Sequence, residues 1–341
     1  MQLARVADVN DRQVFKPCTL IDDQERVLRM YCGRSHVLYE TRDGSLISFG
    51  RNDYGQCSIH EKEVNRPVPA LYKTRTGAVQ QVKYPKFFST GWFHSLLVKD
   101  ERLYACGYFS YSPMSGHVIF NDVTDIVIKV PFKEITFVGS GDHVCTIVVD
   151  NCRIIQMNTN LEVYNVDNLR EICAYKSGFC YISTGGVIYQ PEGNNIVQAK
   201  EYSSFGCYDL RTTAVGGFSF KSRKLEKSII GTDEYSLDCN VYSSFCSHFV
   251  YNTKERKLYA YGSNSDHQLG VGTASAAKGS EVSSINQILS DNSNWDILDI
   301  HSGCDFTIIS IGVPYSKNVI RFKNNLLKNA NASLLTDVKF L

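Results

Sequence analysis

No two of the twelve cysteines form a C-x-x-C pair. Structural zinc sites are built on such close pairs of Cys or His, so the absence argues against a bound zinc. No apolar run approaches the roughly 18 residues that a membrane-spanning helix needs. The opening stretch, with Arg5, Asp8, Asp11 and Arg12, is too polar for a secretory signal peptide. Neither sign of charge is in excess: 36 basic residues face 35 acidic ones, for a net charge of +1. That balance removes the electrostatic ground for a nucleic-acid or membrane-surface protein. There is no Walker-type glycine loop, no H-E-x-x-H and no recognisable nucleophile–base motif. The expectation is a chain inside the cell, cytoplasmic or nuclear or both, with no cofactor, no metal and no bond-making site.

What is present is enough for a large core. Apolar residues make up 43% of the 341 residues and charged ones 21%, a balance typical of folded domains. Three cysteine pairs recur with the same spacing, Cys145 and Cys152, Cys173 and Cys180, Cys239 and Cys246. Each lies at or near a hairpin, and they read as buried thiols in a reducing compartment.

One phrase repeats along the chain, most completely over residues 27–57. A β-rich run ends in Cys32-Gly33, and an apolar strand follows from His36 to Tyr39. Asp43-Gly44 marks a tight hairpin turn, because glycine takes φ > 0 without steric cost. A second strand, Leu46 to Phe49, stops at Gly50 and the polar loop Asn52-Asp-Tyr-Gly55-Gln56. Further copies start at Gly91, at Ser140 (in place of glycine, before His143), at Gly178, Gly206, Phe245 (again in place of glycine, before His248) and Gly303. Seven copies give about 49 residues each, near the size of a four-stranded propeller blade. The chain begins partway through a repeat, with Arg12 to Ile21 matching the segment that follows a Gly-Gln loop. Its tail, Asn318 to Asn329, matches Ile47 to Gln56. Such a pattern predicts one domain over 1–341, all-β, a single seven-bladed β-propeller with the ring closed by strands from both termini.

The phrase Cys-Gly-x-x-His, apolar strand, Asp-Gly, strand, Gly-x-Asn-x-x-Gly-Gln resembles the regulator-of-chromosome-condensation repeat family of seven-bladed propellers. Residues 27–57 and 243–272 carry it best. The resemblance implies three activities: guanine-nucleotide exchange on the small GTPase Ran at chromatin, service as a protein adaptor, and ultraviolet photoreception. The last depends on a cluster of tryptophans, and this chain has only Trp92 and Trp295.

An exchange factor pushes on its GTPase with a protruding wedge and polar groups on one face, a conformational catalysis without bond chemistry. The stretch Cys106-Gly107-Tyr108-Phe109-Ser-Tyr111-Ser-Pro113-Met-Ser-Gly116-His117 stands where the family's wedge begins, so a wedge-like hairpin is expected there. It lacks the family's Arg-Asp-Asn-Asn-Gly wording. Asp142-His143 matches the Asp-His of the family's Gly-Asn-Asp-His, whereas Trp92 replaces an acid in Gly-Asp-Ser-His. His36, His94, His143 and His248 read as architectural, each following a turn where an imidazole bonds a neighbouring loop. The candidate partner-binding residues are therefore Trp92, Asp142, His143, Tyr108, Phe109 and Tyr111. The leading reading is an adaptor or regulatory subunit, monomeric within a hetero-complex. The alternative is a divergent exchange factor for a Ran-type GTPase. Phosphate binding has weak support, since the densest basic run is Lys221 to Lys227. Over 271–296, rich in Ser, Asn and Ala, the sequence leaves order or flexibility open.

Overall fold

At Asp43-Gly44 the chain reverses as its residues dictate. Gly44 sits at φ +79, its N–H donates to the Thr41 carbonyl at 2.9 Å, and Thr41 N–H donates to the Ser45 carbonyl at 2.9 Å. The strands His36–Thr41 and Leu46–Arg51 then pair antiparallel in the register Tyr39↔Ile47. A computed structural model describes residues 2–6, 15–17, 27–175, 178–185, 187–193, 195–198, 239–243, 247–273, 275–303 and 306–313.

These residues form five four-stranded sheets and one six-stranded sheet. The first is Val27–Cys32, His36–Thr41, Leu46–Arg51 and Glu63–Pro69. The second is Phe87–Thr90, His94–Lys99, Arg102–Gly107 and His117–Asp122, extended by the ribbon Leu71–Lys73 and Val79–Gln81. The third is Ile135–Ser140, Cys145–Val149, Arg153–Met157 and Leu161–Asn165. The fourth is Leu169–Tyr175, Gly178–Ser183, Ile188–Glu192 and Asn195–Gln198. The fifth is Cys239–Ser243, Ser247–Asn252, Lys257–Gly262 and Ala277–Glu281. The copy expected over 202–220 lies outside the described residues, as does the tail 318–329.

In the sixth sheet Asp296–Ser302 and Thr307–Gly312 are joined by Gln2–Val6 and Phe15–Pro17. Gln2 pairs with Ile311 and Arg5 with Ile308. Phe15–Pro17 falls in the fourth position, within the segment matched to that role. The third position, matched in sequence to the tail, is held by Gln2–Val6, whose backbone pairs the edge of Thr307–Gly312.

Alternation along the strands explains why the sheets stack. In the first sheet Val37, Tyr39 and Phe49 join one core with Ile308 of the sixth. Leu38 and Leu46 join another with Phe88, Leu97 and Tyr104 of the second. The second sheet turns Leu96, Val98, Leu103 and Ala105 toward Val138, Ile147 and Ile155 of the third. Val148 and Ile154 in turn meet Ile172, Phe179 and Tyr181 of the fourth, and the fifth packs on the sixth through Phe249, Leu258, Ile300 and Ile309. Successive side chains of a strand face opposite ways, so each central strand feeds two cores. Burial on both faces follows, and all six residues of His36–Thr41 are buried. A fully buried aliphatic side chain such as Val37 or Leu38 contributes on the order of 1.5–3 kcal/mol. This is a propeller arrangement of radiating sheets.

The structure answers one open point and corrects one expectation. The stretch 271–296 includes the strand Ala277–Glu281 and the helix Ser283–Asp291, whose Ile285 and Leu289 are buried against the fifth sheet. The thiols of Cys32, Cys57, Cys106, Cys145 and Cys180 are buried, but Cys152 is exposed because it sits in the turn after Val149. Cys173 and Cys180 are opposed across neighbouring strands.

Glycine also sets how closely the sheets approach. A Cβ on Gly33 would lie 2.4 Å from the Gly91 carbonyl, one on Gly91 2.7 Å from the Gly141 carbonyl, and one on Gly303 2.4 Å from the Gly33 carbonyl. The first turns of neighbouring sheets therefore touch backbone to backbone. Gly91→Ala, which would also press on the His94 ring at 2.2 Å, should cost about 1–3 kcal/mol in urea denaturation. Gly185→Ala, with no atom nearer than 3.7 Å, should leave the midpoint unchanged.

Candidate functional site

In an antiparallel sheet the turn after the first strand and the loop after the third emerge at the same end. That end carries the turns at Gly33, Gly91 and Gly141 and the loops 52–62 and 108–116. The opposite end is tied by charged contacts. Arg29 donates to Glu40 at 2.6 Å and to the Pro85 and Lys86 carbonyls at 2.7 and 2.9 Å. Lys83 meets Asp43 at 2.6 Å and Lys86 meets Glu101 at 2.6 Å. The Lys83 ammonium holds the Asp43 carboxyl below the usual carboxylate range.

The turns share one frame. Gly33, Gly91, Gly141 and Gly303 each donate an N–H to the carbonyl three residues on, at His36, His94, Val144 and Phe306 (2.9, 2.9, 2.7 and 2.9 Å). His143 is therefore not the equivalent of His36 and His94. It stands one residue earlier, level with Ser35 and Phe93, and Val144 takes the histidine position. For His248 the backbone pairs with Ser243 and Tyr261.

His36 and His94 are fully buried and bridge sheets. His36 Nε2 lies 2.9 Å from Ser95 Oγ, and Ser95 gives its one proton to the Gln56 carbonyl at 2.8 Å. His36 must then be the donor to Ser95, which fixes its tautomer. His94 Nε2 lies 3.1 Å from Cys145 Sγ on the third sheet. Burial lowers both imidazoles to a pKa of about 3, and for His94 the neighbouring His36 and His143 add to the effect. Burial pushes the Cys145 thiol up to about 12.

The loop after the third strand is built by the asparagine and glutamine of the repeat. Asn52 Nδ2 donates to the Ile59 and Glu61 carbonyls at 2.9 and 2.5 Å, and its Oδ1 accepts from Cys57 N–H at 2.7 Å. Gln56 Oε1 accepts from Tyr54 N–H at 3.0 Å. Asn264 and Gln268 repeat these bonds in the fifth sheet. Gly55, at φ +86, lets the loop close on Val118 and leaves Tyr54 projecting.

Between these loops the chain assembles an aromatic surface from three sheets. Arg34 and Tyr54 come from the first, Trp92, Phe93 and Tyr108 from the second, and His143 from the third. The Tyr54 ring is 5.0 Å from Phe93 and 5.6 Å from Tyr108. Trp92 meets His143 edge-on at 5.3 Å, and the Arg34 guanidinium lies 4.8 Å from Trp92 and 5.6 Å from Phe93. Tyr54 and Tyr108 are 45% and 46% exposed; the other four are half-buried.

The sequence candidates divide accordingly. Trp92, His143 and Tyr108 belong to this surface. Asp142, in the same turn as His143, is buried. Phe109 is also buried, with its ring 4.4 Å from His94, and Tyr111 packs on the core between the second and third sheets. No wedge-like hairpin forms over 108–117. Ser112–Met114 is a 3-10 turn, Met114 is buried, and Gly116 N–H closes on the Gly107 carbonyl at 3.0 Å. Arg34, Tyr54 and Phe93 were not singled out by sequence, yet each occupies a variable position of the repeat phrase. Among the described residues no group of three His, Cys, Asp or Glu is placed to hold a metal ion, and no helix is long and apolar enough to cross a membrane.

No family model matches the chain. The human RCC1-like G exchanging factor-like protein is 25% identical to it over 272 residues, which is 73% of this chain and 55% of the relative. Prp20p of Saccharomyces cerevisiae, whose structure was described with its binding properties to Gsp1p and histones, superimposes with a TM-score of 0.50. That match has 10% identity and covers 96% of this chain and 95% of Prp20p, a shared fold. The chain is similar in sequence to an RCC1-like protein and shares its propeller fold with Prp20p. Human WBSCR16 also aligns, at 15% identity and a TM-score of 0.46, over 88% of this chain and 76% of its own. The chain spans just over half the length of the human exchanging-factor-like relative.

The buried histidines give its core a definite pH response. A histidine whose folded pKa is lowered protonates more readily in the unfolded chain. Its contribution is whole above about pH 6.5 and is lost as pH falls toward 3, roughly 2 kcal/mol each by pH 5. The urea midpoint should fall between pH 7.5 and 5.0. A His36→Gln/His94→Gln variant should lose visibly less over that interval; an identical loss would disprove the assignment.

Proposed function

We propose that residues 1–341 form one propeller of seven blades closed by strands from both termini, and that it acts as an adaptor or regulatory subunit in a hetero-complex. The reading rests on the aromatic surface of Trp92, Phe93, Tyr54, Tyr108, His143 and Arg34. Trp, Tyr and Arg are the residue types that dominate binding hot spots, and a contiguous exposed apolar patch on a folded protein marks an interaction face. Support for the closed ring comes from the pairing of Gln2–Val6 with Thr307–Gly312 and from the packing of Ile308 into the core of the first sheet. The protein would work in the cytoplasm, the nucleus or both.

The second reading, a divergent guanine-nucleotide exchange factor for a Ran-type GTPase, is favoured by the similarity to the human RCC1-like G exchanging factor-like protein. Against it stand the burial of Asp142 and the closed loop at 108–116.

Two measurements separate these readings. Tagged full-length protein, wild type beside Trp92→Ala/Tyr108→Ala, should retain partner proteins that the double variant loses by tenfold or more, with unchanged thermal midpoints. Equal retention would reject the surface as the platform. Catalytic amounts of the chain should leave fluorescent-GDP release from Ran unaccelerated; acceleration that Asp142→Ala abolishes would establish exchange instead.

A further inference from the structure

We infer that the aromatic surface takes an acidic peptide segment of its partner, with Arg34 gripping an Asp or Glu side chain. This rests on the interaction-face reading above and adds the chemistry of the occupant.

Arg34, Trp92 and Asp142 follow the turn glycines Gly33, Gly91 and Gly141, so they hold the same position on three successive sheets. The turns touch through their backbones, with Arg34 N–H 3.3 Å from the Gly91 carbonyl. The side chains of Arg34 and Trp92 are thereby brought near the next turn. Arg34 meets an indole there, at 4.8 Å, and not a carboxylate. Its side chain has no ion pair and no hydrogen bond among the described residues. Its Nε is buried and lacks an acceptor.

That is an incomplete arrangement. A guanidinium with neither ion pair nor hydrogen bond leaves strong donors unused, and an incoming carboxylate can accept from those at its accessible edge. Stacking occupies the face of a guanidinium and leaves its edge of N–H donors available, in a fork that fits a carboxylate through two parallel bonds. The rings of Tyr54, Phe93 and Tyr108 flank this point and offer area to the apolar side chains beside the acid. Arg51, near the same end, is already paired with Asp53, and His143 is an edge-on neighbour of Trp92. The surface thus carries one permanent positive charge without an ion pair, Arg34, in an aromatic frame. A nucleic acid backbone needs several neutralising contacts in a row, which this surface does not supply. A short acidic segment needs one.

The test is selection from a phage-displayed random dodecapeptide library on the full-length protein, followed by fluorescence anisotropy with the selected peptides. The expected result is peptides sharing an Asp or Glu beside an aromatic or aliphatic residue. Affinity should fall tenfold or more with Arg34→Gln, and by a similar factor when the peptide's acid is changed to its amide. The two losses should not add, since they remove the same contact. Arg34→Lys, keeping charge without the fork, should fall between, and Arg51→Gln should change affinity less than twofold. The peptide-side change needs no protein variant, so it decides even if Arg34→Gln unfolds. Selected peptides without acids, bound through Trp92 but indifferent to Arg34, would overturn the inference and leave the interaction face standing. Failure of folded protein to select any peptide would overturn it. So would Arg34-dependent binding of a fluorescein-labelled mixed-sequence 20-nucleotide RNA by a surface that selects no peptide.

Discussion

A four-stranded sheet with apolar residues on both faces is stable only between two neighbours, and the rest of this structure depends on that requirement. Val37 and Leu38 are adjacent in sequence yet belong to different cores, one shared with the sixth sheet and one with the second. The same division recurs at Leu96 and Leu97 and at Ile147 and Val148. No sheet here is a free-standing unit. A cavity opened in one core loosens two sheets, and through them their other neighbours.

Polar order at the ends of the sheets follows from this stacking. Where the turns meet, there is room for backbone alone, so glycine stands at 33, 91 and 303. The imidazoles of His36 and His94 then reach across to Ser95 and Cys145, adding buried polar links between sheets that also pack through apolar cores. Asn52 and Gln56 use their side chains to satisfy backbone groups of an irregular loop, which would be costly to leave unpaired. The projecting aromatic residues stand on this scaffold. A rigid base beneath an exposed surface reduces the entropy lost on binding.

Much of the architecture was legible in the chain because its signals are local. Asp43-Gly44 turns for reasons contained in two residues, and the alternation that buries both faces can be read along a single strand. The site was less legible. Gly139 and Gly141 bracket Ser140, so two frames fit the third copy by eye, and only the bond from Gly141 to Val144 shows that His143 is displaced from the histidine position. Phe109 and Tyr108 look alike as neighbouring aromatics. Contact with His94 and the core of the second and third sheets sends one inward, while the other meets Tyr54. The hairpin expected at 108–117 did not form, because Met114 is drawn into the core and the loop folds over it.

The sequence by itself determined the strand-and-turn repeat, the glycines where φ must be positive and the asparagine–glutamine loops, since each depends on residues a few positions apart. Tertiary structure alone decided which side chains would share a surface. Arg34, Trp92 and His143 are separated by more than fifty residues at each step and meet only because turns of successive sheets are stacked. It also decided that Gln2–Val6 would lie beside Thr307–Gly312: pairing of a strand with a distant edge is set by which edge is left open, and the strand's own residues do not record it.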